Sequence, residues 1–243
     1  MNVINIFVDC HVFDGPFQDS TSYLKGLYFE LIQDKRMRFF LASNNSRALE
    51  NIFGTHANVV YVQYRFTNKF LRLSIDIPLL IQQYKIDYAH FQYIVPPIKL
   101  CRYIVTTHDV MFLDFPDFFP KNFKIKNGFL FRWSALKSEV VLTVSEYSKE
   151  RIKQHFGIEK IHVTHNAVDP AFLEPFDRKV AKDYIESNFK IADFYLFVSR
   201  FEPRKNHFQL LKTFVEKQHY EHKSLALVGN QALDCAGFDA YYN

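Results

Sequence analysis

Residues 3–16 read Val3-Ile4-Asn5-Ile6-Phe7-Val8-Asp9-Cys10-His11-Val12-Phe13-Asp14-Gly15-Pro16, and the fold class turns on them. Val3 to Val8 is a short, almost continuous apolar run, the pattern of a strand buried on both faces. Beyond the loop, Leu24, Leu27, Tyr28 and Leu31 recur at helical spacing, with Ser20 or Thr21 placed to cap. The same cycle repeats. Further strands are predicted near Arg38–Ala42, Val59–Gln63, Tyr88–Gln92, Tyr103–Thr107, Val140–Val144 and Ile161–Thr164. Helices are predicted near Ser46–Phe53, Lys69–Tyr84 (interrupted at Pro78), Phe123–Lys137 and Glu146–Phe156. Strand–helix alternation with short connections argues a parallel, doubly wound α/β sheet, with ligands at the carboxyl ends of the strands.

A break follows Asn166. The stretch Asp169–Pro175 carries two prolines, and Phe176–Lys190 is charged and weakly periodic. Then Tyr195–Val198 reads as a strand, Phe208–Phe214 as a helix and Leu225–Val228 as another strand. The expected organisation is a complete Rossmann-like domain over 1–173, a linker over 174–191 and the start of a second Rossmann-like domain over 192–243. Two strands bury too little apolar surface to make a stable α/β domain alone, so the sequence reads as stopping in mid-domain.

The chain has 243 residues, 48% hydrophobic and 23% charged, so disorder is not expected. No apolar stretch approaches the ~18 residues of a membrane span, and Met1 opens into an ordered-looking segment. The net charge of +4 is spread along the chain. It suits anionic ligands or a membrane surface, and it is too small to argue nucleic-acid binding. Cys10, Cys101 and Cys235 lie far apart without a CxxC, as in a reduced cytosolic protein.

The turn after the first strand holds one glycine, Gly15, and no GxGxxG, so no dinucleotide pyrophosphate can approach the backbone there. Walker A and GxSxG are absent too. His162 and His165 stand three apart on a strand, where alternation points them to opposite faces, and His219 and His222 could share a helical face but have no evident third ligand for a metal. Thr106-Thr107-His108-Asp109 is more informative, because it puts adjacent His and Asp at a strand's carboxyl edge, before an aromatic, proline-rich loop over Met111–Pro120. The alternative is a strand-end histidine satisfied by local backbone. In Ser199-Arg200-Phe201-Glu202-Pro203-Arg204-Lys205-Asn206 three cations fall between a strand end and a helix that starts near Asn206. Guanidinium, ammonium and helix dipole together suit a diphosphate; a solvated charged turn is the other reading.

Taken in order, these pieces resemble the family-4 retaining glycosyltransferases, whose architecture is GT-B. The residues that carry the likeness are the opening strand with the Gly15–Gly26 loop and helix, and Thr107-His108-Asp109. With them go Leu142-Thr143-Val144-Ser145-Glu146-Tyr147-Ser148, His165-Asn166-Ala167-Val168-Asp169 and Phe197–Asn206, which is similar to the family's G-R-x-x-x-x-K-N segment. The resemblance implies an acceptor-binding first domain, a second domain for a nucleotide-sugar, and transfer in the cleft between them without metal or other cofactor. It implies that Arg200 and Lys205 hold the donor diphosphate. His108, with Asp109, would face the reacting sugar and orient it rather than act as a general base. Gly15, Ser20 and Thr21 would form a loop over the phosphates, with Ser145 and Asn166 near the acceptor cleft. It also implies a glycan or lipid-linked acceptor in polysaccharide biosynthesis, at the cytoplasmic side and the inner face of a membrane. Mannose from GDP-mannose is the donor suggested by family frequency.

The chain departs from the pattern in places. Asp19-Ser20 stand where the family has glycines, and Ala167 stands for a linker glycine. The family's two glutamates seven residues apart, which read donor ribose and sugar, would fall beyond Asn243. The chain as written is therefore expected to be inactive. A non-catalytic glycan- or partner-binding remnant is the competing reading, and a nucleotide-sugar epimerase is disfavoured by the missing glycine fingerprint.

Overall fold

The computed structural model describes residues 3–16, 18–231 and 237–238; Cys235 lies outside them. The chain divides into two compact units, Met1–Phe172 and Leu173–Asn243.

In the first unit the apolar runs become β1 (Ile4–Asp9), β2 (Met37–Ser43), β3 (Val59–Gln63), β4 (Tyr88–Gln92), β5 (Arg102–Thr106), β6 (Val140–Thr143) and β7 (His162–Val163). All pair in parallel, in the order β3-β2-β1-β4-β5-β6-β7. Between them run α1 (Asp19–Leu31), α2 (Ser46–Phe53), α3 (Lys69–Leu71), α4 (Ile77–Gln83), α5 (Met111–Asp114), α6 (Lys121–Lys137) and α7 (Glu146–Phe156). Alternate residues of each strand feed opposite faces. Ile6, Val8, Phe39 and Leu41 pack on one side with Leu24 and Tyr28 of α1 and Leu49 and Phe53 of α2. Phe7, Phe40, Phe91 and Val105 pack on the other with Ile77 and Ile81 of α4, Phe131 of α6 and Ile152 of α7. Both faces are covered, which is why the strands read as near-continuous apolar runs.

Three local readings change. The N-cap of α1 is Gln18, with no side-chain cap; Ser20 and Thr21 lie inside the first turn, where the Thr21 hydroxyl donates to Val12 O at 3.1 Å. The helix expected over Lys69–Tyr84 is interrupted before Pro78, not at it. A π-helical turn over Arg72–Asp76 separates α3 from α4, and Pro78 follows it at the start of α4, so the widened turn falls just where proline withholds a backbone N–H. The third concerns the expected linker.

The second unit begins at Leu173, and the stretch 174–191 contains a helix, α8 (Arg178–Phe189), capped by Asp177, which accepts from Lys179 N and Val180 N. Its charged, weakly periodic sequence concealed it because no residue of α8 is buried. Then β8 (Phe194–Val198) and β9 (Ser224–Val228) pair in parallel, with α9 (His207–Glu216) between them. At the end of β9, Gly229 has φ +158°, and a Cβ there would meet Ser199 O at 1.9 Å. Only glycine allows this approach. Cys10 is buried and Cys101 half-buried, both as free thiols.

Among the described buried apolar residues, only Leu211 and Phe238 belong to the second unit. Native-state hydrogen exchange should therefore give the strongest protection in β1, β4 and β5 and fast exchange in β8 and β9. Equal protection in the two sheets would contradict this account of where the stabilising core lies.

Candidate functional site

The strand order reverses direction beside β1: the chain runs outward through β2 and β3, then returns to β4 on the other side. This topological switch point leaves a crevice beyond the carboxyl ends of β1 and β4, because the connections that leave these strands turn away from each other. A cavity of about 170 Å³ lies there, lined by Asp9 and His11 after β1, Gln92 and Tyr93 after β4, and Gln18 and Ser20 of the α1 start. Lys69 and Arg72 supply another wall, and Phe123, Asn127 and Phe131 of α6 close it.

Asp9 is only 1% exposed. Tyr64 Oη donates to its Oδ1 at 2.8 Å, the His11 backbone N–H to the same oxygen at 3.2 Å, and His11 Nδ1 stands 3.1 Å from Oδ2. Arg72 Nη2 lies 3.7 Å from Oδ2. Burial alone would raise this carboxyl, but His11, Arg72 and Tyr64 outweigh it and hold Asp9 well below the usual carboxylate range. Nearby, Asp76 of the π turn accepts from Arg65 N at 2.8 Å and Phe66 N at 2.9 Å.

His108 stands beyond the end of β5, 6% exposed. Its Nε2 donates to Gln92 Oε1 at 2.7 Å, and its ring lies edge-on to Tyr23 at 5.0 Å and tilted on Tyr93 at 5.4 Å. The Gln92 amide nitrogen faces His90 Nε2 at 3.4 Å, and His90 joins Tyr28 Oη and Thr106 Oγ1 at 2.7 and 2.8 Å. Burial pushes His108 down to about 4, against a smaller upward pull from Asp19; burial and then His108 push His90 down to about 3. Both rings are neutral at pH 7. With Nε2–H given to Gln92, His108 keeps Nδ1 as an acceptor. Tyr93, at φ +63°, is a non-glycine residue in the left-handed region, held by its N–H to Thr106 O at 2.9 Å. Such backbone gathers at functional sites.

The other sequence candidates fall in several places. Ser20 is buried and lines the cavity; Gly15 is exposed and Thr21 half-buried. Asp109 accepts from Met111 N at 3.1 Å at the start of α5, so it shapes the aromatic loop. Asp114 then ties that loop to Arg151 and His155 of α7. Ser145 caps α7, accepting from Ser148 N at 3.1 Å, which accounts for it structurally. Asn166 is exposed, with no hydrogen bond among the described residues. No group of three His, Cys, Asp or Glu side chains that could hold a metal ion occurs among the described residues. In the second unit Arg200 is not free: its Nη2 pairs with Glu202 Oε1 at 3.1 Å, and Arg204 Nε with the other oxygen at 2.6 Å. Lys205 is exposed, with no ion pair among the described residues, and Asn206 at φ +60° leads into α9.

Residues 34–172, more than half of the chain, match the family model described as Glycosyltransferase Family 4. The chain belongs to glycosyltransferase family 4. No curated protein matches it. It is similar in structure to a glycosyltransferase from Rickettsia africae ESF-5, at TM-score 0.61 and 15% identity, over 100% of this chain and 64% of that one. It is also similar to Anabaena HepE in complex with UDP and glucose, at TM-score 0.60 and 14% identity, over 99% of this chain and 64% of HepE. A third is the UDP-GlcNAc 2-epimerase of Neisseria meningitidis bound to UDP-GlcNAc, at TM-score 0.56 and 12% identity, over 100% and 75%. At such identities the likeness is one of fold, which for this family-4 chain is α/β of the GT-B type. The chain spans less than two thirds of the first two structures. Among its described residues no helix is long and apolar enough to cross a membrane.

The neutral histidines give a pH signature. Unfolded, His90 and His108 take up protons near their ordinary 6.5; folded, they wait until about 3 and about 4. Between pH 6.5 and 4 the unfolded state binds more protons, so stability falls on acidification, by up to ~1.4 kcal/mol per pH unit per histidine. Urea midpoints measured across this window should fall with pH, and His90→Gln should flatten the slope. An unchanged slope would refute the neutral-ring assignment. Asp9 does not contribute there, since its stabilisation is lost only below about pH 4.

Proposed function

We propose that this family-4 protein takes part in moving a hexose from a nucleotide-sugar to a glycan or lipid-linked acceptor, with retention at the anomeric carbon. The observation that carries the donor half is the end of β8, where Lys205 has no ion pair among the described residues while Glu202 braces Arg200 and Arg204 ahead of α9. Braced guanidiniums hold a fixed position, and the Lys205 ammonium with the helix N-terminus supplies the attraction for a diphosphate. Charge placed there offsets the negative charge that builds on the leaving nucleotide, and this reading needs no metal for it.

In the first unit His108 serves as an orienting acceptor. Neutral near pH 7, its Nδ1 takes a hydrogen bond from a sugar hydroxyl, while Gln92 fixes the tautomer from the other side. The acceptor hydroxyl attacks the anomeric carbon on the face from which the diphosphate leaves. The carbon–oxygen bond to phosphate breaks, its electron pair stays on the phosphate oxygen, and that oxygen takes the hydroxyl proton. HepE holds UDP and glucose and the epimerase UDP-GlcNAc, which supports a nucleotide-sugar as the ligand class. GDP-mannose is the first donor to try, beside UDP-glucose and UDP-GlcNAc. A lipid-linked acceptor in polysaccharide assembly would bring the protein to a membrane's cytoplasmic face, and the net charge of +4 agrees with that.

Calorimetry with UDP and GDP tests the donor site. Lys205→Ala should weaken binding about tenfold or more, the scale of one charge-assisted hydrogen bond, and EDTA should change nothing. Unchanged affinity in the variant would remove the diphosphate assignment. Where turnover is measurable, His108→Ala should lower it with a smaller effect on nucleotide affinity.

A further inference from the structure

The switch-point crevice of the first unit carries a charge imbalance that its own residues leave unsettled. Lys69 and Arg72 line it, and Lys126 of α6 stands near enough to act on Lys69. Loss of water around its ammonium, then Arg72 and Lys126, push Lys69 below its ordinary range, although the residue as a whole is exposed. Asp9 is the sole carboxylate on the wall among the described residues, and Tyr64 and His11 already occupy it. Asp76 is spent on two backbone N–H groups. Asp19 and Asp109 act on Tyr93 but do not line the crevice.

Arg72 is the telling residue. It is 5% exposed, yet its nearest approach to Asp9, 3.7 Å, is a contact of charges beyond hydrogen-bond reach. Its Nε has no hydrogen-bond partner among the described residues. Its guanidinium lies 5.6 Å from the centre of the Tyr64 ring, which supplies attraction but accepts no directed bond from Nε. A guanidinium presents five donors in a rigid fork, and burying them unpaired is costly. An oxyanion in the crevice would take two of them side by side, as carboxylates and phosphates do. The rest of the wall fits a sugar ring. Tyr93 and Phe131, stacked on each other at 4.7 Å, give the wall apolar ring edges, and Gln18, Ser20 and Asn127 line it with groups that can bond hydroxyls.

We propose that the crevice between β1 and β4 binds a sugar ring bearing an oxyanion, a phosphate monoester or a carboxylate, with Arg72 and Lys69 holding the charge. The transferase reading enters only in making that ligand the acceptor. The acceptor class is then an anionic sugar, and the charge sits on the β1 side of the crevice, with His108 reached through Gln92 and Tyr93 on the other.

The test uses the isotope-labelled full chain and the Arg72 Nε–Hε resonance, titrated with glucose 6-phosphate, glucuronate, inorganic phosphate and glucose. Glucose 6-phosphate or glucuronate at millimolar concentration should shift the resonance, glucose should not, and Lys69→Gln should weaken the effective ligand about tenfold. A response to the phosphosugar alone assigns a phosphorylated acceptor, and one to glucuronate alone a uronate. Lys69 is exposed, so its variant folds even if Arg72 variants do not. A resonance that no sugar anion moves, that glucose moves equally, or that inorganic phosphate moves as strongly (an adventitious ion only) overturns the proposal. UDP binding in the second unit is read separately, so the donor assignment and this one fail independently.

Discussion

The structure depends on how one buried carboxylate is compensated. Asp9 ends β1, inside the sheet's switch point, at 1% exposure. An ionised carboxylate in that position is tolerable only with donors and positive charge around it. Each partner comes from a different segment. His11 belongs to the short 3-10 turn directly after β1, Tyr64 follows β3, and Arg72 opens the π turn between α3 and α4. Three connections are thereby drawn to one point. Arg72 and Asp76 stand four residues apart on the inner side of the π turn, buried with Leu73, while Phe70, Leu71 and Ile75 of the same stretch are exposed.

Around that point the crevice divides by charge. On the β1 side are a compensated anion and an excess of cations. On the β5 side, burial has removed charge altogether: His90 and His108 are neutral, joined through Gln92, Thr106 and the tyrosine hydroxyls. Desolvation keeps both rings neutral without a counter-ion, which suits the orienting role proposed for His108. The same polar chain fixes which ring nitrogen faces outward. The second unit handles charge differently, at a strand end where Glu202 braces two arginines and Lys205 has no ion pair among the described residues.

β3 and β4 fall on the residues that the sequence indicates, β3 as the apolar run Val59–Val62 of a half-buried edge strand and β4 even though the buried His90 and Gln92 interrupt its apolar residues. So do α2 and α7, whose caps Asn45 and Ser145 are short polar side chains of the expected kind. The α8 helix was not legible, since a helix with no buried residue has no apolar stripe to betray it. His108 was visible from its strand-end position. Arg72, Lys69, Asp9 and Gln92 were not picked out, because each acts through partners far away in sequence. One signal was present: Arg72 interrupts Phe70-Leu71-Arg72-Leu73, and Asp9 follows the apolar run of β1 without a break. A charge set in an apolar stretch needs a partner, and here two such charges meet. The cations at Arg200, Arg204 and Lys205 are plain in the sequence; that Arg200 and Arg204 both pair with Glu202 shows only in the folded turn.

The central claim is that Asp9 and Arg72 together hold the switch-point crevice in shape. A double-mutant cycle with Asp9→Asn, Arg72→Gln and the double variant, read as unfolding free energy in urea, tests it most directly. Each single change strands a buried charge, so the account predicts that the double variant is less destabilised than the sum of the two, by a coupling of about 1 kcal/mol or more. Additive losses, with no coupling, would contradict it.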